Sequence, residues 1–319
     1  MDWVLLGIPV GIVMLYFGSD WLVKGAKGLA LRLGISAFIV GLTVVAFGSS
    51  APECVTSLVS SETPEIIIGN VVGSNIVNIG LAIGLAAMIS PLAAKYLSMR
   101  FEVIMMMVAS LVVVVMSIGG FIGFVEGLIL CSALVVFVFL VYYLKKGDAE
   151  GQEAYTSDVV EGGDQYGLPR LIVMCALGLV FLYYGARFFI DGATELATIF
   201  GVSELLIGLI VVAVGTSLPE ICICLMAAYR KESDLAVANI VGSNIFNLFF
   251  VLGVGALIVD IPISETILTF HFPVMLLMSA LMFVMIRFNN RISRPMGAVL
   301  VAIYVAYLAT MAMVPSLTI

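Results

Sequence analysis

Two glutamates occupy positions where an acid is costly. Glu53 and Glu220 close two nearly identical runs, Gly48-Ser49-Ser50-Ala51-Pro52-Glu53 and Gly215-Thr216-Ser217-Leu218-Pro219-Glu220, each deep in a long apolar stretch. A charge at bilayer depth costs at least ~2.5 kcal/mol on insertion scales, so an acid placed there marks a functional position. No Lys or Arg lies at comparable depth to neutralise either one. The neighbours fit a cation. Proline removes an amide donor and clashes with the carbonyl four residues earlier, here that of Gly48 or Gly215. Carbonyls around Ala46 and Gly48, and around Ala213 and Gly215, are therefore expected to turn toward a ligand. Broken backbone at this depth is tolerated only where it lines a cavity. Ser49 and Ser50 lie four and three residues before Glu53 on the same helical face, and Thr216 and Ser217 repeat the arrangement before Glu220.

A second pair of runs follows. Ser74 and Asn78 are four residues apart, as are Ser243 and Asn247, so each pair presents two oxygens on one helical face. Such residues often serve only to bind membrane helices together, but their duplication beside the glutamates argues for ligation. Two carboxylates and two carbonyls supply about six oxygens, with hydroxyl and amide oxygens in reserve. That flexible, doubly negative set suits Ca²⁺ better than Mg²⁺, which keeps its waters. Na⁺ can use the same oxygens, so competition for one site would couple the two ions. The Gly-rich runs lack the Gly-Lys-Ser/Thr of a phosphate loop and are expected to let helices approach closely.

The elements that position these residues follow from composition. Of 319 residues, 62% are apolar and 11% charged, and mean hydropathy is +1.21. About a quarter charged would be ordinary for a soluble domain, so a soluble globular protein is excluded. The net charge of -7 argues against a nucleic-acid partner. Stretches of spanning length fall near 3–23, 36–60, 66–92, 101–118, 121–144, 169–190, 203–229, 235–259, 267–286 and 296–313, too long for membrane strands. The fold class expected is an all-α membrane protein with ten transmembrane helices. The polar stretch 145–168 reads as a linker between an N-terminal half, 1–144, and a C-terminal half, 169–319, and it carries no EF-hand pattern. Cys54, Cys131, Cys175, Cys222 and Cys224 show no metal or disulfide spacing and read as small apolar side chains. The single His271 has no triad partner, and the opening residues read as a retained first helix.

Thirteen of the fourteen basic residues fall on odd-numbered connections, with only Arg187 opposite. Basic loops mark the cytoplasmic side, which predicts a multi-pass cell-membrane protein with both termini outside and the 145–168 linker inside. Residues 16–53 align without a gap to 183–220 at a constant offset of 167, and 69–78 match 238–247 two residues further on. Five spans per repeat, an odd number, would insert the second half upside down. Inverted repeats of this kind build secondary transporters that alternate access around a midplane site.

The paired motifs G-[ST]-S-x-P-E and [GA]-N-x-x-G-S-N-I-x-N, within 41–80 and 208–249, resemble the α-repeats of the cation/Ca²⁺ exchanger superfamily, and the whole chain resembles its prokaryotic Na⁺/Ca²⁺ exchangers. The resemblance implies antiport of Ca²⁺ against Na⁺, with four ion positions in a diamond between the second, third, seventh and eighth helices. Glu53 and Glu220 would ligate the central Ca²⁺. Ser50, Ser217, Asn78, Asn247, Ser74, Ser243 and the carbonyls of Ala46 and Ala213 would complete the sites, and the first and sixth helices would slide against the rest. Some relatives, the K⁺-dependent ones among them, carry Asp where this chain has Asn247, which argues against K⁺ co-transport. Proton-coupled relatives carry a further acid in a G-N-x-x-E pattern that is not found here, which favours Na⁺.

Rival functions are an H⁺/Ca²⁺ antiporter, a passive cation channel with the paired acids at a constriction, and an intramembrane hydrolase, which lacks a base. An enzyme is not expected, nor a cofactor beyond the transported ions. The expected partners are Ca²⁺, Na⁺ and the bilayer, with the chain as a monomer.

Overall fold

The computed structural model describes residues 3–50, 54, 64–145, 166–200 and 213–317. Ala51, Pro52, Glu53, most of the 145–168 linker, and 201–212 lie outside this set. Eight helices are long and apolar enough to cross a bilayer: α1 (Gly7–Leu33), α3 (Glu65–Ile89), α4 (Tyr96–Met116), α5 (Phe124–Lys145), α6 (Leu168–Ile199), α8 (Ser233–Ile258), α9 (Ile267–Asn289) and α10 (Arg294–Met313). Two shorter apolar helices, α2 (Ala37–Ser49) and α7 (Leu218–Tyr229), complete the described bundle. Helices suit this composition because each satisfies its own backbone hydrogen bonds, which hydrocarbon cannot do.

Burial sorts the helices into layers. The central windows of α3 and α8 are 72% and 83% buried, against 28–39% for the other long helices, so α3 and α8 form the axis and the others face outward on at least one side. Helix α2 packs on α8, and α7 packs on both α8 and the second half of α3. The relation recurs in mirrored form further out, where α10 lies on the end of α3 and α5 on the end of α8. Glycines set both contacts. A Cβ on Gly297 would stand 2.5 Å from the Gly84 carbonyl oxygen, and one on Gly127 would stand 2.8 Å from that of Gly253.

Helices α1 and α6 lie antiparallel and closer still. A Cβ on Gly11 would meet the Gly185 carbonyl oxygen at 2.7 Å, and Cβ atoms on Gly18 and Gly178 would each meet the other's carbonyl oxygen at 2.9 Å. The backbones touch at these glycines, leaving no room there for a Cβ. Both helices extend past the stretches 3–23 and 169–190 expected from hydropathy alone. In α1 the reason is a face that stays apolar: Leu22, Val23, Ala26, Leu29 and Ala30 remain buried while Lys24 points outward. The helix stops at Gly34, whose left-handed conformation (φ 65°) lets its N–H cap the last carbonyls.

Two minimal antiparallel strand pairs close the ends of the bundle. β1 (Leu92–Ala93) pairs with β4 (Arg291–Ile292), and β2 (Phe121–Ile122) pairs with β3 (Ile261–Pro262). Each ties a connection in the first half to one in the second. The cysteines are free, and Cys175 packs its sulfur where a Cβ of Gly25 would otherwise come. His271 is buried and structural, bonded to the Tyr307 hydroxyl at 2.9 Å and the Leu317 carbonyl at 2.8 Å.

Candidate functional site

The two proline-containing runs break their helices at the same place. Ser50 ends α2 with φ -85° and ψ 0°, and Ser217 precedes α7 with φ -90° and ψ 8°. This sparsely populated bridge region is where many active-site residues sit. Past the breaks, the N–H of Cys54 bonds to the Ser50 carbonyl at 3.2 Å and that of Ile221 to the Ser217 carbonyl at 3.0 Å. Ala213 opens a one-turn helix, Ala213–Thr216, ahead of the second break. The kink falls two residues before each proline.

One expectation needs correction. The Ala46 carbonyl is not freed by Pro52: it accepts the Ser50 N–H at 3.0 Å and the Ser49 hydroxyl at 3.3 Å. Ala46 lies a full six residues ahead of Pro52, beyond the reach of the missing amide donor.

Glu220 is fully buried, as is Ser217, and Ser50 is nearly so. Across the two halves, the Ser50 hydroxyl donates to Glu220 Oε1 at 3.2 Å. Glu53 lies outside the described residues. Ser49 turns back on Ala46 and lines an apolar crevice of about 770 Å³ shared with Phe47, Leu179 and Pro219. Thr216 instead lines a smaller cavity of about 260 Å³ with Arg187, Asp191 and Pro219. Ser49 and Thr216 therefore line different cavities.

On the axial helices, Asn78 and Asn247 each begin a π-helical segment, Asn78–Ile83 and Asn247–Val251. An inserted residue of this kind widens the turn and is frequent at functional sites. Ser74, Asn78, Ser243 and Asn247 are all buried. Among the described residues, Ser74 Oγ, Asn78 Oδ1, Ser217 Oγ, Ser243 Oγ and Asn247 Oδ1 are buried without a hydrogen-bond partner. Leaving a buried polar atom unsatisfied costs about 1–3 kcal/mol, so these five oxygens, all on residues expected from the sequence to ligate, call for a cation that accepts their lone pairs. Among the described residues no group of three or more His, Cys, Asp or Glu could hold a metal. The donors on offer are hydroxyl and amide oxygens around a carboxylate, a set suited to hard cations and not to zinc or copper.

Three residues escaped the sequence reading. Asn75 and Asn244 are buried and accept the hydrogen bonds of Asn78 and Asn247: Asn78 Nδ2 donates to Asn244 Oδ1 at 3.0 Å, and Asn247 Nδ2 to Asn75 Oδ1 at 3.4 Å. Their repetition in Gly-Ser-Asn-Ile-x-Asn was the available signal, but their partners lie across the repeat. Glu102 is the third. Counting acids deep in the spans gave Glu53 and Glu220, yet Glu102 is fully buried in α4, because that helix begins at Tyr96 and turns its second-turn acid inward. Away from this site, Asp20 is buried in α1, where it pairs with Lys24 at 2.7 Å and with Arg230 in the turn between α7 and α8. Lys27 reaches Glu232 in the same turn at 2.6 Å.

Comparison with known proteins places this geometry. The model of the family described as sodium/calcium exchanger protein matches residues 3–143 and 170–313. The chain is 31% identical over 341 aligned positions to sodium/calcium exchanger MaX1 of Methanosarcina acetivorans, covering 95% of this chain and 96% of that one. It is 33% identical over 305 residues to inner membrane protein YrbG of Escherichia coli, covering 94% of each. A solved structure of the sodium-calcium exchanger NCX_Mj, soaked with Na⁺ and Ca²⁺, superposes with a TM-score of 0.83 at 30% identity over 98% of this chain and 99% of its own. Matched by that family model over both of its halves, the chain belongs to the sodium/calcium exchanger family.

Proposed function

We propose that this membrane protein exchanges Ca²⁺ for Na⁺ by alternating access at a site built on α2, α3, α7 and α8. The observation that carries the reading is the set of five buried, unpartnered oxygens from Ser74, Asn78, Ser217, Ser243 and Asn247, all in the paired motifs of the two halves. Glu53 and Glu220 supply the charge that holds Ca²⁺, Ser50 and Ser217 stand beside them at the helix breaks, and Ser49, Thr216 and the Ala46 and Ala213 carbonyls supply further Na⁺ ligands. Doubly charged Ca²⁺ and a set of Na⁺ ions would alternately satisfy the same oxygens, which makes exchange obligatory.

In this reading α2 and α7 count as spans, giving ten helices in two inverted halves, 1–144 and 169–319, joined by the 145–168 linker on the cytoplasmic side of the cell membrane. Support comes from contacts that recur with the halves exchanged: α10 on α3 through Gly84 and Gly297, α5 on α8 through Gly127 and Gly253, and the matched strand pairs at the bundle ends. The glycine seam between α1 and α6 suits a pair that slides as one body, and two inverted halves give inward-open and outward-open states of comparable energy.

The test uses purified protein in proteoliposomes loaded with Na⁺ and diluted into Na⁺-free buffer, followed by ⁴⁵Ca²⁺ entry. Uptake driven by the Na⁺ gradient is expected. Uptake that ignores Na⁺ and tracks a pH gradient would reassign the coupling ion to H⁺, and flux without any gradient of either would make the protein a channel.

A further inference from the structure

Asn75 and Asn244 take no place among the ion ligands, yet both are buried at the centre of the bundle. Each stands three residues before a ligand asparagine of its own half and bonds to the ligand asparagine of the other: Asn244 Oδ1 accepts from Asn78, and Asn75 Oδ1 accepts from Asn247. The remaining ends of the two amides are matched as well. Asn75 Nδ2 lies 3.9 Å from Met275 Sδ, and Asn244 Nδ2 lies 3.8 Å from Met106 Sδ and 3.4 Å from the Asn75 carbonyl oxygen. Met106 and Met275 occupy corresponding positions on α4 and α9, at the same 169-residue spacing that relates Asn75 to Asn244. The same arrangement is thus built twice.

An asparagine can present either an oxygen or an NH₂ group to a cavity, and only the oxygen attracts a cation. What decides between them is the partner at the other end. A thioether sulfur accepts but cannot donate, so Met106 and Met275 hold the NH₂ ends of Asn244 and Asn75 and leave their oxygens facing the ligand asparagines. Those oxygens take the NH₂ of Asn78 and Asn247, leaving Asn78 Oδ1 and Asn247 Oδ1 as the unpartnered atoms. The polarity runs from sulfur to the site through two amides.

We propose that Asn75 and Asn244 are positioning residues, each turning the opposite half's asparagine so that its carbonyl oxygen, and not its NH₂, faces the transported cation. This rests on the ion site proposed above. Partners that orient metal ligands typically contribute 10–100-fold in affinity, and here the orientation crosses between the two halves, so neither half can present its amide oxygen alone.

The test compares, in full-length protein in proteoliposomes, Asn244→Leu and Asn75→Leu, which remove the acceptor at similar volume, with Asn244→Asp and Asn75→Asp, which keep it. Half-saturating Ca²⁺ for Na⁺-driven ⁴⁵Ca²⁺ uptake is expected to rise about 10–100-fold in the leucine variants, with a smaller fall in maximal rate, and to return to within a few-fold of wild type in the aspartates. In an Asn78→Ala background, Asn244→Leu should add nothing further. Should a leucine variant not be recovered folded, Asn→Ala at the same position removes the same acceptor and carries the comparison. Wild-type half-saturation in the acceptor-free variants, or full additivity with Asn78→Ala, overturns the proposal while leaving the ion site standing if Glu220→Gln is inactive. An active Glu220→Gln overturns the site and this proposal together.

Discussion

The hydroxyl of Ser50 lies 3.2 Å from Glu220 Oε1 and donates to it across 170 residues of sequence. It brings the helix break of one half against the acid of the other. A hydrogen bond to a charged group is worth about 1.5–3 kcal/mol, which corresponds to roughly 10–100-fold in binding. Ser50→Ala is therefore expected to raise half-saturating Ca²⁺ by up to that factor in ⁴⁵Ca²⁺ uptake while the protein stays folded. Glu220→Gln and Glu53→Gln should abolish exchange, with size-exclusion profiles and melting temperatures close to wild type. Full activity in either glutamine variant would remove the proposed site.

The seam between α1 and α6 should tolerate no side chain at its touching glycines. A Cβ on Gly18 would come within 2.9 Å of both the Gly178 carbonyl oxygen and the Leu182 nitrogen, so backbone must move. Gly18→Leu or Gly178→Leu is expected to destabilise by about 1–3 kcal/mol, the usual cost of overpacking, and to slow exchange. Thermal unfolding in detergent and initial uptake rates measure the two effects. Unchanged values in both would mean that the helices separate readily.

Asp20 joins α1 to the turn between α7 and α8 through Arg230. Removing one partner of a buried charge pair leaves the other uncompensated, whereas removing both is much less costly. Asp20→Asn is thus expected to lower the melting temperature more than Asp20→Asn with Arg230→Gln. A double-mutant cycle in detergent reads the difference, and strict additivity would show that the pair contributes nothing.

Exchange of three Na⁺ for one Ca²⁺, the stoichiometry that the family resemblance favours, moves one net charge per cycle, worth ~2.3 kcal/mol per 100 mV. With Na⁺ inside, one positive charge would leave the vesicle for each Ca²⁺ that enters. An inside-positive potential set by valinomycin and external K⁺ should therefore accelerate ⁴⁵Ca²⁺ uptake, and an inside-negative one should slow it. Indifference to potential would point to two Na⁺ per Ca²⁺.

Much of this was legible in the sequence because the informative residues are neighbours along the chain. Gly-Thr-Ser-Leu-Pro-Glu puts its breaker, hydroxyls and acid within six residues, so local spacing alone brings them together, and the constant offset of 167 identified their counterparts. The stretches expected near 66–92 and 235–259 likewise became α3 and α8 with shifts of a few residues at the ends. What stayed hidden was set by distance in sequence. Asn75 reads as one more polar residue in an apolar helix until Asn247, 172 residues away, is placed against it. Glu102 lay at the edge of a hydropathy window, and only the true start of α4 reveals that it turns inward. The extra length of α1 was invisible to hydropathy because Lys24, Lys27 and Arg32 interrupt the apolar average without interrupting the apolar face.

The strand pairs β1–β4 and β2–β3 are only two residues per strand, yet in the proposed exchange cycle their placement would separate a fixed frame from a sliding pair. They staple the connections of α3, α4, α5, α8, α9 and α10 at both ends, and neither touches α1 or α6 in sequence. At 1.5 Å per residue, α1 with 27 residues and α6 with 32 are about 40 and 48 Å long, well beyond a hydrocarbon layer of about 30 Å, so such a pair would tilt within the layer or extend past it. If that pair slides, each stroke draws a different set of its side chains through the layer while the stapled frame keeps its own fit. Bilayer thickness then weights the two access states, and the lipid surrounding the protein helps to set the position in which it rests.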